Sequence, residues 1–240
     1  MPGIRITVAD GADAFDRAAA DTIASSIQGC PRGAVVVATG RTPMGAYARL
    51  ADDLSADATR GLRLFQLDEY VGTPPDDPRS LASWTRRSFV EPLGIDPASV
   101  HWFDATAEDA VAECRRYERA VLDAGGFDLA VLGLGPNGHL GFNEPPSDPS
   151  SGTRVVRLSE ASLASNASYV PGTPVPSEAF TAGLDLLLAA RRVVLVVAGS
   201  AKREIVHRAL EGPVTEEVPA SFLQEHPDVV AVVDVDAWGA

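Results

Sequence analysis

The feature that most constrains this chain is a set of short, almost unbroken apolar runs, such as Ala34-Val35-Val36-Val37 and Val193-Val194-Leu195-Val196-Val197. A strand with one face in water alternates apolar and polar residues. A strand covered on both faces does not, and such strands belong to parallel sheets sandwiched by helices. Strands are expected at Ile4–Ala9, Ala34–Thr39, Leu62–Leu67, Val100–Phe103, Phe127–Gly133, Thr153–Leu158, Val193–Gly199 and Val229–Val235. Between them, apolar residues at three- and four-residue spacing predict helices over Ala12–Gln28, Pro43–Ala51, Leu81–Leu93, Ala107–Ala124 and Ala201–Leu210. Strand–helix alternation implies right-handed crossovers and an α/β fold: one doubly wound, mostly parallel sheet flanked by helices.

The length of 240 residues suits one catalytic domain over 1–240. Pro and Gly cluster at Gly72–Pro78, Pro145–Gly152 and Val170–Ser177, which read as loops of that domain, with a lid-like segment at about 145–178. The net charge of −13 argues against a nucleic-acid partner, which needs a cationic surface. An anionic ligand would need a locally positive site built from backbone N–H groups and a few cations. The apolar stretch Val193–Ala198 is strand-sized and cannot span a bilayer. The start of the chain carries no apolar signal segment, so a cytoplasmic protein is expected. Cys30 and Cys114 lie far apart without metal-ligand neighbours and read as structural thiols. No metal site is expected.

In an open α/β sheet, ligands bind beyond the carboxyl ends of the strands. Four segments there carry unusual chemistry. In Thr39-Gly40-Arg41-Thr42-Pro43 a Gly turn leads into a helix, and its N–H groups and hydroxyls would suit a phosphate; an ordinary strand–helix turn is the competing reading. Asp68 and Glu69 end an apolar run, where a partly desolvated carboxylate becomes a usable base; a solvated acidic turn competes. The segment Gly133–Pro145 gathers Asn137, Gly138, His139, Asn143 and Glu144. Its glycines lack the following helix of a dinucleotide loop. A His with a carboxylate five residues on, in a Gly-rich turn, suits proton transfer. Lys202 sits in a first helical turn, where a cation opposes the helix dipole and a bound anion would offset it; a solvated Lys competes.

Taken together, TGRTP at Thr39–Pro43, LDEYVG at Leu67–Gly72, GLGPNGHLGFNEP at Gly133–Pro145, TRVVRL at Thr153–Leu158, AGSAK at Ala198–Lys202 and PASFLQEHP at Pro219–Pro227 resemble the glucosamine-6-phosphate deaminase family. The resemblance runs from about Val35 to Val233. It implies isomerisation and deamination of an amino sugar phosphate, glucosamine 6-phosphate and water giving fructose 6-phosphate and ammonia. It implies catalytic roles for Asp68, Asn137, His139 and Glu144. Thr39, Gly40, Arg41, Thr42, Gly138 and Lys202 would bind the substrate, with Glu69 organising the site. No cofactor is implied.

This chain departs from the family's pattern at three positions. Asn137 stands where many members have Asp; it can orient His139 but adds no charge. Ser168 stands where an Arg commonly binds phosphate, and Arg41 stands where Gly or Ser is common. Arg41 is therefore expected to supply the guanidinium that Ser168 lacks; a different amino sugar phosphate as substrate is the alternative. Allosteric members extend further at the C-terminus and use a Lys that aligns with Val156, so no activation by N-acetylglucosamine 6-phosphate is expected, nor more than a monomer or small homo-oligomer. Two rival functions are a 6-phosphogluconolactonase-like hydrolase with His139 as base on water, and a non-catalytic sugar-phosphate sensor. Sensors of this fold carry a DNA-binding segment, for which a first strand at Ile4 leaves no room.

Overall fold

A computed structural model of the protein describes residues 3–167 and 172–239. In chain order the elements are β1 (Arg5–Ala9), α1 (Ala12–Gln28), β2 (Ala34–Val37), α2 (Met44–Asp53), α3 (Ala56–Thr59), β3 (Arg63–Gln66), β4 (Asp68–Tyr70), α4 (Leu81–Thr85), β5 (Val100–His101), α5 (Ala110–Asp123), β6 (Leu129–Gly133), β7 (Arg154–Arg157), α6 (Glu160–Ala167), β8 (Glu178–Thr181), α7 (Leu184–Leu188), β9 (Arg192–Val197), α8 (Arg203–Leu210), β10 (Val229–Asp234) and α9 (Val235–Trp238).

Seven strands form one parallel sheet in the order β1-β10-β9-β6-β2-β3-β5. Period-two alternation sends neighbouring residues to opposite faces. Val194 and Val196 of β9 pack with Phe15, Ile23 and Tyr47 from α1 and α2. Val193, Leu195 and Val197 pack on the other face with Tyr117, Leu187 and Val206 from α5, α7 and α8. Both faces are dry along the central strands β2 and β9, which is why Ala34–Val37 and Val193–Val197 need no polar positions; β1 at the edge is exposed. The chain runs outward from β2 through β3 to β5 and then returns to β6 on the other side of β2. The β2–β6 gap is therefore the switch point, and the TGRTP turn and the Gly133–Pro145 segment both leave from it.

Three strands leave this plan. β4, β8 and β7 form a separate antiparallel sheet, with Asp68 opposite Thr181 and Arg154 opposite the same Thr181. The expected strand Thr153–Leu158 thus belongs here and not to the main sheet. Its half-exposed burial explains the mixed sequence TRVVRL. A single residue, Leu67, separates β3 from β4, so the chain passes directly from one sheet to the other. The expected helix Leu81–Leu93 is a short α-helix followed by a π-helical turn over Arg86–Val90. α5 begins at Ala110, because the Asp109 carboxylate accepts the N–H groups of Val111 and Ala112 at 3.0 and 2.9 Å and fixes the start. α8 begins after a 3₁₀ turn over Ser200–Lys202. Among the described residues, no helix is long and apolar enough to cross a membrane.

Candidate active site

The turn after β2 opens at Gly40, whose φ of 97° is the left-handed conformation that glycine adopts without strain. Pro43 immediately precedes the helical run of α2, one residue earlier in the capping scheme than expected. Thr39, Gly40, Arg41 and Thr42 all line one cavity of about 330 Å³. That volume is at the small end for a ligand pocket, about 300–1,000 Å³. Lys202 lines the same cavity from the start of α8 and donates to the Leu134 carbonyl at 2.7 Å. Burial lowers its proton affinity. The Thr39–Thr42 turn and the cations Arg41 and Lys202 therefore line one cavity, in an otherwise acidic chain.

Asp68 lies on another wall, at the first position of β4. Its side chain is buried, and its Oδ1 has no hydrogen-bond partner among the described residues. Burial, reinforced by the neighbouring charge of Glu69, pushes its pKa up to about 8. A carboxyl group left this short of solvation favours its protonated form and accepts a proton readily.

Glu69 faces elsewhere. Its Oε2 accepts from Gln66 Nε2 at 3.0 Å, Ser80 Oγ at 3.0 Å and the Ala82 N–H at 2.8 Å. Its Oε1 accepts the N–H groups of Tyr70 and Leu81 at 2.9 and 3.0 Å. Glu69 thus fixes the first turn of α4, whose Leu81 and Trp84 are part of the cavity wall, and does not line the cavity itself. The structure places Glu69, expected to organise the site, behind this wall.

The segment after β6 is folded back on itself. Gly135 N–H donates to the His139 carbonyl at 3.0 Å, and a Cβ at Gly135 would lie 2.2 Å from the imidazole. Only glycine lets the ring pack there. Gly138 has φ 88°, and a Cβ on it would meet Val218 at 2.8 Å. Gly138, expected among the substrate-binding residues, shapes the turn and is not among the residues that line the cavity.

His139 lines the cavity, and its Nδ1 lies 3.3 Å from Glu144 Oε2 and 3.4 Å from Ser162 Oγ. A carboxylate beside Nδ1 favours the tautomer that carries its proton there. Glu144 also accepts from Asn137 Nδ2 at 2.6 Å and Ser159 Oγ at 3.1 Å. Burial pushes the Glu144 carboxyl up, but hydrogen bonding and charge from His139, with further bonds from Ser162 and Asn137, outweigh it and hold the pKa at about 2. Glu144 and Asn137 stand behind the imidazole, outside the cavity wall. Asn137 thus orients the carboxylate rather than touching the ring.

Several cavity residues were not anticipated: Tyr70, Arg79, Arg87, Ser162 and Asn166. Ser162 and Asn166 are four apart on α6, one face of a helix, a signal the sequence did carry. Arg79 is held by Asp77 through Nε–Oδ1 at 2.9 Å and Nη2–Oδ2 at 2.6 Å, and reaches the Pro174 carbonyl at 3.0 Å. Ser168, the position of the absent phosphate-binding Arg, lies outside the described residues. Among the described residues no cluster of His, Cys, Asp or Glu has a metal-binding arrangement.

Residues 7–231 match the sequence model of the family described as glucosamine-6-phosphate isomerases/6-phosphogluconolactonase. The glucosamine-6-phosphate deaminase of Cutibacterium acnes is 44% identical over 235 residues, covering 96% of this chain and 90% of that protein. The Streptomyces coelicolor enzyme of the same name is 40% identical, with the same coverage of 96% and 90%. Among solved structures, a monomeric glucosamine-6-phosphate deaminase superposes with a TM-score of 0.92 at 34% identity, covering 98% of this chain and 99% of its own. The 6-phosphogluconolactonase of Trypanosoma brucei has a TM-score of 0.80 at 22% identity, covering 99% of this chain and 98% of its own; that likeness is one of fold. By a match that takes in both sheets and every segment of the cavity wall described above, this chain belongs to the glucosamine-6-phosphate isomerase/6-phosphogluconolactonase family.

Proposed function

We propose that this protein converts glucosamine 6-phosphate and water to fructose 6-phosphate and ammonia. The observation that carries the reading is Asp68: a buried carboxyl with an oxygen unpartnered among the described residues, a pKa of about 8, and a place in the lining of the same cavity as His139. Full-length relatives at 40–44% identity bear the deaminase name, which supports the deaminase over the lactonase reading.

The reaction is a sequence of proton transfers. The phosphate is held by the Thr39–Thr42 turn and Lys202, with Arg41 adding a guanidinium. His139, oriented by Glu144 and through it by Asn137, moves the proton between the sugar hydroxyl and the ring oxygen and opens the pyranose. Asp68, as carboxylate, takes the proton from carbon 2 and returns it to carbon 1, while a second proton passes from the amine nitrogen to the carbonyl oxygen of carbon 1, so the aldose amine becomes the imine at carbon 2 with a hydroxyl on carbon 1. Water adds to that carbon, and the C–N bond breaks with the nitrogen leaving as ammonia. Each of these steps, the water addition and C–N cleavage included, is assisted by proton transfer among oxygen, nitrogen and carbon, which side chains of these types perform.

The chain is read as one catalytic domain, with the segment at about 145–178 as its cover. Support comes from Ser162, Asn166, Thr173 and Val175, which line the cavity, and from the Arg79–Pro174 tie. We further infer a cytoplasmic monomer or small homo-oligomer; a solved relative is described as monomeric. The experiment is an ammonia-release assay over a panel of amino sugar phosphates, with 6-phosphogluconolactone as the hydrolase control. Ammonia from glucosamine 6-phosphate is expected, and acid from the lactone alone would overturn the reading.

A further inference from the structure

Arg154, the first residue of β7, is half-buried and lies outside the cavity wall. Burial disfavours its charge, with Asp185 acting in the other direction. Its acceptors are all uncharged: Nη1 donates to Asn143 Oδ1 at 2.8 Å and the Gly152 carbonyl at 3.1 Å, and Nη2 donates to Ser147 Oγ at 3.2 Å. A desolvated cation that spends its donors on neutral groups costs stability unless the geometry it enforces matters.

Those acceptors bracket Glu144. Asn143 is fully buried, and its Nδ2 donates to the Leu140 and Ala182 carbonyls at 2.9 and 3.0 Å. Ser147 Oγ donates to the Glu144 carbonyl at 2.5 Å. One planar guanidinium therefore grips the turn immediately before Glu144 and again just beyond it, and ties both to the small sheet.

We infer that Arg154 is a positioning residue for the reaction, acting through Glu144: its fork sets the 143–147 turn so that the carboxylate meets His139. The inference rests on the proposed ring-opening role of the His139–Glu144 pair. A lysine keeps the charge but has one nitrogen, which cannot span Asn143 Oδ1 and Ser147 Oγ as a fork does.

The test is a double-mutant cycle on kcat and KM for ammonia release from glucosamine 6-phosphate, with wild type, R154M, E144Q and the pair. R154M is expected to lower kcat about tenfold or more while KM stays within about twofold, the pattern of a lost transition-state interaction. In the E144Q background the same change should cost less than about twofold, because the group it places is gone. Equal losses in both backgrounds would overturn the inference. R154K should lose kcat as R154M does; wild-type kcat in R154K would also overturn it. If R154M does not fold, the cycle is run with R154K. A wild-type protein that releases no ammonia sinks the reaction assignment and this inference together, whereas an active wild type with an additive cycle sinks only this inference.

Discussion

Asp68 and Glu69 are consecutive residues of β4 with opposite circumstances: among the described residues, five hydrogen bonds converge on the Glu69 carboxylate, while Asp68 Oδ1 has none. Strand alternation separates their faces, so one holds the wall of α4 while the other meets the cavity. Their adjacency also matters electrostatically, since the charge of Glu69 adds to burial in raising the Asp68 pKa.

Asp68→Asn should lower kcat by about 10²–10⁴-fold, the span of a lost general base, in an ammonia-release assay. In the wild type, kcat/KM should rise with pH and level off above the Asp68 value of about 8. The stability effect has the opposite direction. An acid whose pKa rises from 3.8 unfolded to about 8 folded binds more protons when native between those values, so its contribution is full below 3.8 and is lost as pH climbs through 8. Asp68→Asn should therefore gain in Tm relative to wild type as pH rises from 4 to 9. A Tm difference that does not change with pH would contradict the buried, uncompensated carboxyl.

Glu69→Gln should move the rising limb of the kcat/KM profile to lower pH, because it removes the like charge beside Asp68 while leaving burial in place. It should also cost about 1–3 kcal/mol of stability, since a buried amide cannot accept all five bonds. Denaturant titration measures the second effect and the pH profile the first. An unmoved profile would show that burial alone sets Asp68.

Glu144→Gln should lower kcat for glucosamine 6-phosphate with a smaller change in KM, because the residue stands behind the imidazole. Its folded pKa of about 2 is below the ordinary 4.5, so its stabilising contribution is present above 4.5 and fades as pH falls through 2. The variant should accordingly lose most stability relative to wild type at neutral pH and converge with it in acid, followed by Tm against pH.

Arg41→Ala should raise KM for the phosphorylated amino sugar well beyond its effect on the unphosphorylated analogue, since one charge-assisted contact to a phosphate contributes about 1.5–3 kcal/mol. Equal effects on the two substrates would remove Arg41 from the anion cradle.

The central strands of the main sheet were legible because they are buried on both faces and so spell themselves as Val, Leu and Ala, as in β2 and β9. The small sheet was not. Glu178–Thr181 is a four-residue strand, too short for a period to be counted, and Asp68–Tyr70 reads as the tail of the run before it. α7, Leu184–Leu188, is nearly all leucine and carries no helical stripe. At the site, Asp68, His139 and Lys202 stood out through position at strand ends. The places of Glu69 and Gly138 did not, because a residue that holds a wall and one that touches a ligand have the same local sequence. Arg154 was hidden for a related reason: its partners lie seven and eleven positions away, in a turn whose shape only the folded chain reveals.

Because Leu67 is the whole link between β3 and β4, the proposed site draws its walls from two scaffolds that meet within one residue. The turn after β2 and the start of α8 line the cavity from the seven-stranded layer; Asp68 and α6 line it from the three-stranded layer. Selectivity for the sugar and retention of its anionic tail are thus separable traits. Exchanging the small layer between relatives should change which sugar is accepted while leaving the hold on phosphate intact.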